Sequence, residues 1–458
     1  MEIITRLRGA IGDAFVLTAP ADTAKWARDW AGEYTSDPIA VLRPADTAQV
    51  AAVMAIAHET GTPVVPVGGN TGLNGGAVAN GALQVSLDRL NQITSIDPAG
   101  RTATVGAGVI LSNLHDAVAD HDLIFPLTFG ARGSAMIGGV LSTNAGGSNV
   151  LRYGNTRDLV LGIEVVMADG RIMNLMGALH KDNSGLNLKH LMIGAEGTLG
   201  VITAAVVKLS PKPHAYATAM VAAVDLPAAL EMLHRIQSAT GNGVEALEYM
   251  PRSFIDGHLA LHPEAREPFD APYDVNILIE VGAMSPVTDL LEDALGQMLE
   301  DGLIYDAVIA QNEAQRREMW ARREAAAEIG YAKTPFVDAD IAVPLAAVQT
   351  WEAAMQARLA AIDPTATDTI VAHLGDGNIH YSAFPSRDDP VLKDQIKQAV
   401  EEEVQKLRGS FSAEHGVGIS KLSTMKRRKD PVALAAMRAI KQALDPKGIL
   451  NPGKMYPD

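Results

Sequence analysis

The segment His373-Leu374-Gly375-Asp376-Gly377-Asn378-Ile379-His380 carries two imidazoles seven positions apart. On an uninterrupted strand, side chains at that spacing point to opposite faces. The Gly-Asp-Gly turn between them can reverse the chain and bring both rings to one site. Glu414-His415-Gly416 adds a carboxylate and a third imidazole. Two histidines and one carboxylate form an open ligand set for Zn²⁺ or another divalent metal, whose free position accepts a substrate oxygen. The competing reading is a pair of buried, hydrogen-bonded histidines beside a turn aspartate. Neither HExxH nor GxSxG occurs, so the usual zinc-peptidase and serine-hydrolase readings lack support.

Glycines supply a second kind of chemistry. The run Val67-Gly68-Gly69-Asn70-Thr71-Gly72-Leu73-Asn74-Gly75-Gly76 follows an expected strand. Glycine lets backbone N–H groups approach a ligand closely, and successive N–H groups form an anion-binding nest. The loop reads as a diphosphate cradle or as a tight turn. No GK[ST] follows it, and it does not fit GxGxxG opening a helix. A P-loop NTPase and an ordinary nicotinamide Rossmann domain are therefore disfavoured. Further on, Gly133, Gly138, Gly139, Gly146 and Gly147 stand among Ser134, Thr143 and Asn144. A third stretch runs from Gly194 to Gly200 and includes Glu196. Distant glycine loops acting together would grip a large dinucleotide along its length.

The elements that must position these residues follow from pattern and punctuation. A strand is expected over 39–42, then an N-cap at Asp46 and a helix over 47–58 stopped by Gly61. Strands follow over 63–67, 83–88, 94–97 and 102–106, then a helix over 111–120 and a hairpin over 161–174. From 217 the order becomes strand 217–224, helix 227–239, strands 244–249 and 274–281, helix 287–300 and strand 302–309. That β-α-β-β-α-β order is ferredoxin-like. A long helix over 311–329 opens a second α/β set that reaches about 407. The expected divisions are a helical lead-in over 1–35, then 36–216, 217–407 and a closing segment over 408–458.

Composition bounds the rest. Of 458 residues, 38 are Lys or Arg and 54 are Asp or Glu, for a net charge of −16. That balance disfavours a nucleic-acid partner and docking on anionic lipid by charge. With 47% hydrophobic and 20% charged residues the chain is of globular type. No apolar run is long enough for a transmembrane helix, and MEIITRLRGAIGDAF does not read as a secretory signal. A cytoplasmic location is expected. Cys is absent, which rules out disulfides, thiolate metal sites and a thiol nucleophile. A homodimer is the default expectation for oligomeric state.

The three segments PVVPVGGNTGLNGG, STNAGGSNVLRYG and IGAEGTLGVIT resemble the FAD-binding domain of the vanillyl-alcohol oxidase/p-cresol methylhydroxylase (PCMH) superfamily. The resemblance covers 36–216 and continues through the C-terminal half. It implies an α+β fold: a two-part PCMH-type FAD-binding domain, a ferredoxin-like substrate (cap) domain and a helical C-terminal segment returning to the FAD domain. It also implies that Val67, Gly68, Gly69, Asn70, Thr71, Gly72 and Leu73 hold the diphosphate. Pro126, Leu127, Gly133, Ser134, Ile137, Gly138, Gly139, Thr143, Asn144, Gly146 and Gly147 would support diphosphate and isoalloxazine. Glu196, Gly200, Ile202 and Asn451 would line the same cofactor. Members with covalent FAD use a His in or near the first loop, or a Cys later. Here that loop has Asn70 and Cys is absent, so non-covalent FAD is expected.

HLGDGNIH and AEHGVG resemble the C-terminal motifs of the D-2-hydroxyacid dehydrogenases in that superfamily, which act on acids such as D-2-hydroxyglutarate and D-lactate. The match implies His373, His380 and Glu414 as ligands of a divalent metal, Zn²⁺ first, with Mn²⁺ or Fe as alternatives. It implies His415 as the base and Asn378 as a residue lining the site. MWARRE resembles the family helix that carries a clamp for the substrate α-carboxylate, here Arg323, while Arg322 reads as a surface residue. The implied reaction oxidises a D-2-hydroxy acid to the 2-oxo acid, with hydride passing to FAD. Electrons would leave to an electron-transfer flavoprotein, a quinone or a cytochrome. The alternatives are a flavin electron-transfer subunit without substrate chemistry, an oxidoreductase for another alcohol, and a flavin-free metal hydrolase. Ala327, Asp338 and Ser382 depart from the residues of 2-hydroxyglutarate-specific relatives, so dicarboxylate and monocarboxylate substrates both stay open.

Overall fold

The computed structural model describes residues 2–30 and 32–457, which form two compact units. The first comprises Met1–Gly146, Asn155–Lys212 and His415–Asp458. Helix α1 (Glu2–Ile11) and strands β1 (Val16–Leu17) and β2 (Ala40–Leu42) open it. Asp46 accepts the N–H of Gln49 and caps α2 (Thr47–Thr60), which Gly61 ends in the left-handed conformation at φ 67°. Strands β3 (Val64–Val67) and β4 (Leu83–Ser86) follow. The sheet order is β1-β2-β4-β3, with β4 parallel to both neighbours. Leu7, Val50, Val53, Met54, Leu83 and Val85 share its core, each worth about 1.5–3 kcal/mol of burial. The C-terminal chain returns along the other edge of β3: Val64 N–H donates to Ile449 O and Asn451 N–H to Val64 O, both at 2.8 Å.

Strands β5 (Ile93–Asp97) and β6 (Thr102–Gly106) form a hairpin, followed by helices α3 (Leu111–Ala119) and α4 (Ile137–Thr143). Strands β7 (Val160–Val166), β8 (Ile172–Leu175) and β9 (Val201–Lys208) complete a five-stranded antiparallel sheet in the order β5-β6-β9-β7-β8.

The second unit comprises Gly147–Gly154 and Pro213–Glu414. Its elements are β10 (Ala215–Ala223), α5 (Leu226–Thr240), β11 (Val244–Pro251), α6 (Arg252–Leu261), β12 (Val275–Ala283), α7 (Thr288–Glu300) and β13 (Ile304–Ile309). Then come α8 (Glu313–Glu324), α9 (Ala326–Gly330), β14 (Val337–Ala342), α10 (Val348–Ile362), β15 (Thr367–His373), β16 (Asn378–Phe384) and α11 (Pro390–Lys406). One seven-stranded sheet runs β13-β10-β12-β11-β15-β16-β14. Its first four strands keep the ferredoxin-like order, and the other three extend the sheet. One face is apolar: Ala219, Val221, Leu247, Tyr249, Ile277, Ile279, Ile341, Ile379 and Tyr381 pack with Leu233, Leu291, Trp351 and Ile396 of the helices.

One helical expectation is corrected and one helix is new. The helix expected over 311–329 is two helices, because Ala325 leaves helical geometry at ψ 2° and no Gly or Pro marks the break. Helix α6 was not foreseen. Gly257 in its middle weakens the helical pattern, yet a Cβ there would stand 2.9 Å from Ile329 Cγ2. The glycine is what lets α9 pack so closely.

Candidate active site

Strand register places the chemistry on the sheet face away from the apolar core. Glu248 on β11 stands opposite His373 on β15. Val371, two residues before His373, stands opposite His380 on β16, and His380 stands opposite Asp340 on β14. Opposed residues share a face and alternate residues return to it. Glu248, His373, His380 and Asp340 therefore form one polar row across four neighbouring strands. The turn works as its glycines require: Asp376 accepts the N–H of Asn378 at 3.1 Å, and Gly377 has φ 80° with Val343 O 2.1 Å from where a Cβ would stand.

The two histidine rings lie 5.3 Å apart, nearly perpendicular. His373 Nε2 is 3.9 Å from Glu414 Oε1, and His380 Nε2 is 3.8 Å from Glu414 Oε2. Ligands about 2.0–2.2 Å from one cation leave spacings of this order between them. Behind each ring stands a second carboxylate. His373 Nδ1 is 2.8 Å from Glu248 Oε1, and His380 Nδ1 is 3.8 Å from Asp340 Oδ1. Carboxylates in that position orient metal-binding imidazoles. Ligand atoms of Asp340, His380 and Glu414 all lie within 4.8 Å of one another, a group that does not include the expected ligand His373. The donor set suits a divalent cation such as Zn²⁺ or Mn²⁺.

Glu414 is held through its backbone. Asp340 Oδ2 accepts the N–H groups of Ala413 at 3.2 Å and Glu414 at 2.9 Å. Asn378 Nδ2 donates to Asp340 Oδ1 and Ile341 O, both at 3.0 Å. Its own Oδ1 is buried without a hydrogen-bond partner among the described residues.

Helix α8 covers the same polar face with residues spaced as one helical stripe. Arg316 donates through Nε and Nη2 to the two oxygens of Glu280, each at 2.7 Å. Trp320 Nε1 donates to Glu280 at 2.8 Å. Arg323 Nε donates to Glu248 Oε2 at 2.5 Å, and its Nη2 lies 3.4 Å from His373 Nε2. The residue expected to clamp a substrate carboxylate thus already holds an internal one. Burial works against the charged form of Glu248, but Arg323 and His373 beside it hold its carboxyl down to about 2. Burial likewise opposes a charged His373, yet Glu248 raises its pKa to about 9. Arg322, expected at the surface, is buried and donates to Arg266 O at 3.0 Å.

Sequence reasoning missed Glu248 and Glu280. The available signal was glutamate set among apolar residues in each buried strand, two in VEALEYMP and one in VNILIEVGA. A buried charge needs a partner, but the strands alone do not say which one.

In the first unit, the first two glycine segments approach each other closely. A Cβ on Gly69 would stand 2.0 Å from Ser134 O, and one on Gly68 would touch Gly139 N and Met136 Cβ at 3.4 Å. The backbone N–H groups of Gly68, Gly69, Asn70, Thr71, Gly72 and Leu73 donate to no acceptor among the described residues. Asn70 adopts φ 55°, and its side chain donates to Arg28 O at 2.7 Å. This row of unspent donors, in a loop that admits no side chain at Gly69, fits a diphosphate. Val67, Pro126, Leu127, Ile137, Gly138 and Ile202 are buried around these segments, while Gly133 and Ser134 are exposed. Thr143 Oγ1 donates to Gly139 O at 3.2 Å, and Asn144 Oδ1 accepts the N–H of Arg157 at 2.9 Å. Gly146 ends a segment of the first unit and Gly147 starts one of the second. Gly200 allows close strand packing, its Cβ position lying 2.4 Å from Val165 Cγ1.

Asn451 Nδ2 donates to Gly76 O at 3.0 Å and Glu196 O at 2.7 Å, and its Oδ1 is buried without a partner among the described residues. Glu196 accepts the N–H groups of Val417 and Gly418. Burial pushes its carboxyl up, against the pull of those two amides. His415 belongs to this first unit, and its carbonyl accepts from Asn74 Nδ2 at 2.8 Å.

A chain whose one unit carries a glycine nest fit for a dinucleotide and whose other, ferredoxin-like unit carries a His–Glu cluster has the features of a flavin-dependent oxidoreductase. Residues 38–176 match the family described as FAD binding domain, and residues 212–455 match FAD linked oxidases, C-terminal domain. The chain belongs to the FAD-linked oxidases. It is 35% identical to a D-2-hydroxyglutarate dehydrogenase of Xanthomonas citri pv. viticola, over 99% of this chain and 96% of that one. A D-2-hydroxyglutarate dehydrogenase of Stutzerimonas stutzeri is 33% identical over 99% and 98%. A mitochondrial D-2-hydroxyglutarate dehydrogenase of Bos taurus is 36% identical over 96% and 81%. The fold is that of p-cresol methylhydroxylase (TM-score 0.76, 16% identity, 100% of this chain and 96% of that one). Alkyldihydroxyacetonephosphate synthase shares it too (TM-score 0.75, 19% identity, 99% and 86%). No helix among the described residues is long and apolar enough to cross a membrane.

Proposed function

We propose that this chain oxidises a D-2-hydroxy acid to the 2-oxo acid with FAD and a divalent metal. The observation that carries the reading is the approach of His373 Nε2 and His380 Nε2 to the two oxygens of one carboxylate, Glu414. Full-length relatives named D-2-hydroxyglutarate dehydrogenase support the substrate class. When bound, FAD supplies the hydride acceptor and the metal supplies the Lewis acid that acidifies the substrate hydroxyl.

The protein's own part is positioning and proton transfer. His373, His380 and Glu414 would hold the metal. Glu248 takes the Nδ1 proton of His373 as a hydrogen bond and so turns the Nε2 lone pair outward. Glu248 also fixes the Arg323 guanidinium through Nε, and with Nη2 beside His373, Nη1 is left to meet the substrate α-carboxylate. His415, next in the chain to Glu414, accepts the hydroxyl proton on a ring nitrogen as the hydride leaves Cα. The loop over 68–73 would hold the FAD diphosphate without a covalent bond. The electron acceptor for turnover would be an electron-transfer flavoprotein, a quinone or a cytochrome.

D-2-Hydroxyglutarate is the first substrate to test. A monocarboxylate such as D-lactate is the second, because Asp338 is exposed on the polar face, two residues from Asp340 and opposite Ser382. A second substrate carboxylate near Asp338 would be repelled. The test is anaerobic bleaching of the visible flavin band by D- and L-lactate, D- and L-2-hydroxyglutarate and D-malate. Bleaching by D-acids alone is expected. A flavin spectrum that none of these acids bleaches would move the function to another alcohol or to electron transfer alone.

A further inference from the structure

His415 sits on a turn whose backbone is gripped from two directions within the first unit. Glu196 Oε1 accepts the N–H of Val417 at 2.7 Å, and Oε2 accepts that of Gly418 at 2.8 Å. Asn74 Nδ2 donates to the carbonyls of His415 and Gly416, each at 2.8 Å. The backbone of Asn74 joins in, its carbonyl accepting from Ile419 N at 2.7 Å and Ser420 N at 3.3 Å. Ser420 Oγ donates to Asn74 Oδ1 at 2.8 Å, which fixes the way the Asn74 amide faces.

The turn has little freedom inside this grip. Gly416 adopts φ 72°, and a Cβ there would lie 2.7 Å from Glu196 Oε1. Gly418 adopts φ 51°, and a Cβ there would lie 2.0 Å from Asn74 O. Both glycines therefore serve backbone conformation and close approach at once. Glu196 is itself anchored, its N–H donating to Ser142 O at 2.8 Å and its carbonyl accepting from Asn451 Nδ2 at 2.7 Å.

The chemistry of the two side chains matches the groups they meet. Two neighbouring N–H groups need two acceptor oxygens, which a carboxylate has and a carboxamide lacks. Two neighbouring carbonyls need two N–H donors, which the Asn74 amide has and a carboxylate lacks. We infer that Glu196 and Asn74 are positioning residues for His415, setting its imidazole through the backbone of the 415–418 turn. The inference rests on the reading of His415 as the base. It also means that the first and third glycine segments, whose loops suit the dinucleotide, hold the base's turn as well.

The test compares E196Q and N74D holoenzymes with wild type, alone and in an H415A background. The readouts are bound FAD per chain, KM and kcat with the D-2-hydroxy acid that reduces the wild-type flavin best, and amide exchange at Val417 and Gly418. Each single variant should lose about 100-fold in kcat, the cost of a misplaced catalytic group. KM and FAD content should stay within about threefold, and exchange at 417 and 418 should speed up. In H415A, either change should add less than about threefold, because residues acting through one group are non-additive. Should both polar swaps fail to fold, S420A loosens Asn74 by a single bond and should lower kcat by a few-fold with FAD retained.

Faster exchange with kcat unchanged would overturn the inference. So would a loss of FAD in proportion to activity. A slowed but still measurable H415A in which the losses multiply in full would sink the positioning role alone. Full activity in H415A would sink the base assignment, and the inference with it.

Discussion

His373 Nδ1 lies 2.8 Å from Glu248 Oε1, on the neighbouring strand of the same sheet face. That contact settles which ring nitrogen of His373 looks outward, toward Glu414 and His380. If the pair orients a metal ligand, E248Q should weaken the site without emptying it. Divalent-metal affinity should fall about 10–100-fold, measured by competition with a chromogenic chelator. Equal affinity in wild type and variant would refute the orienting role.

Stripping the metal should separate the two cofactors. After chelation the visible flavin spectrum should be unchanged, because the glycine nest lies in the other unit. Flavin reduction by the D-2-hydroxy acid should slow by about 10³-fold, in line with several kcal/mol of charge stabilisation from a bound cation. Zn²⁺ or Mn²⁺ should restore it. Full-rate reduction in the chelated protein would remove the metal from the mechanism.

The contact between the first two glycine segments can be tested with one methyl group. A Cβ at Gly69 would stand 2.0 Å from Ser134 O, whereas one at Gly177 meets nothing within 4 Å. G69A should lose about tenfold or more in FAD affinity, since overpacking typically costs about 1–3 kcal/mol. G177A should bind FAD as wild type does. Titrating flavin back into both apoproteins, with circular dichroism to check the fold, reads the outcome. Normal FAD binding by G69A would show that the loop tolerates displacement.

Lys454 predicts a pH dependence of stability. It is buried with Nζ 2.6 Å from Val78 O, and burial lowers its pKa to about 8. Below that pH the lysine is charged in both folded and unfolded chains, and burying the charge opposes folding. Between about pH 8 and the unfolded value of about 10.4, the folded chain gives up the proton first. The unfolded state then binds more protons, so this residue's contribution to stability rises with pH. Any stability advantage of K454M over wild type should therefore shrink from pH 7.5 to pH 10, as read by paired melting curves. A difference that ignores pH would contradict the buried ammonium.

Local motifs were legible in the sequence because their physics is local. Asp46 and Gly61 bound a helix through their own cap geometry. The Gly-Asp-Gly turn between His373 and His380 had to be tight, and it brought the two rings onto one face. The glycine segments likewise announced backbone approaches, since little but glycine fits where a Cβ would meet Ser134 O. The alternation of strands and helices after 217 was enough for the ferredoxin-like order.

What the tertiary structure decided was partnership across long chain separations. Glu248 is 125 residues from His373 and 75 from Arg323, and only the register of β11 against β15 brings it to them. Arg322 and Arg323 are neighbours in the sequence, yet one meets Arg266 O and the other a buried carboxylate. Glu196, read from its motif as a cofactor residue, meets two amides more than 220 positions later. A residue type states what a side chain can bond and its spacing states which face it occupies. Which partner fills that bond depends on strand register and helix docking, set by the packing of the whole core.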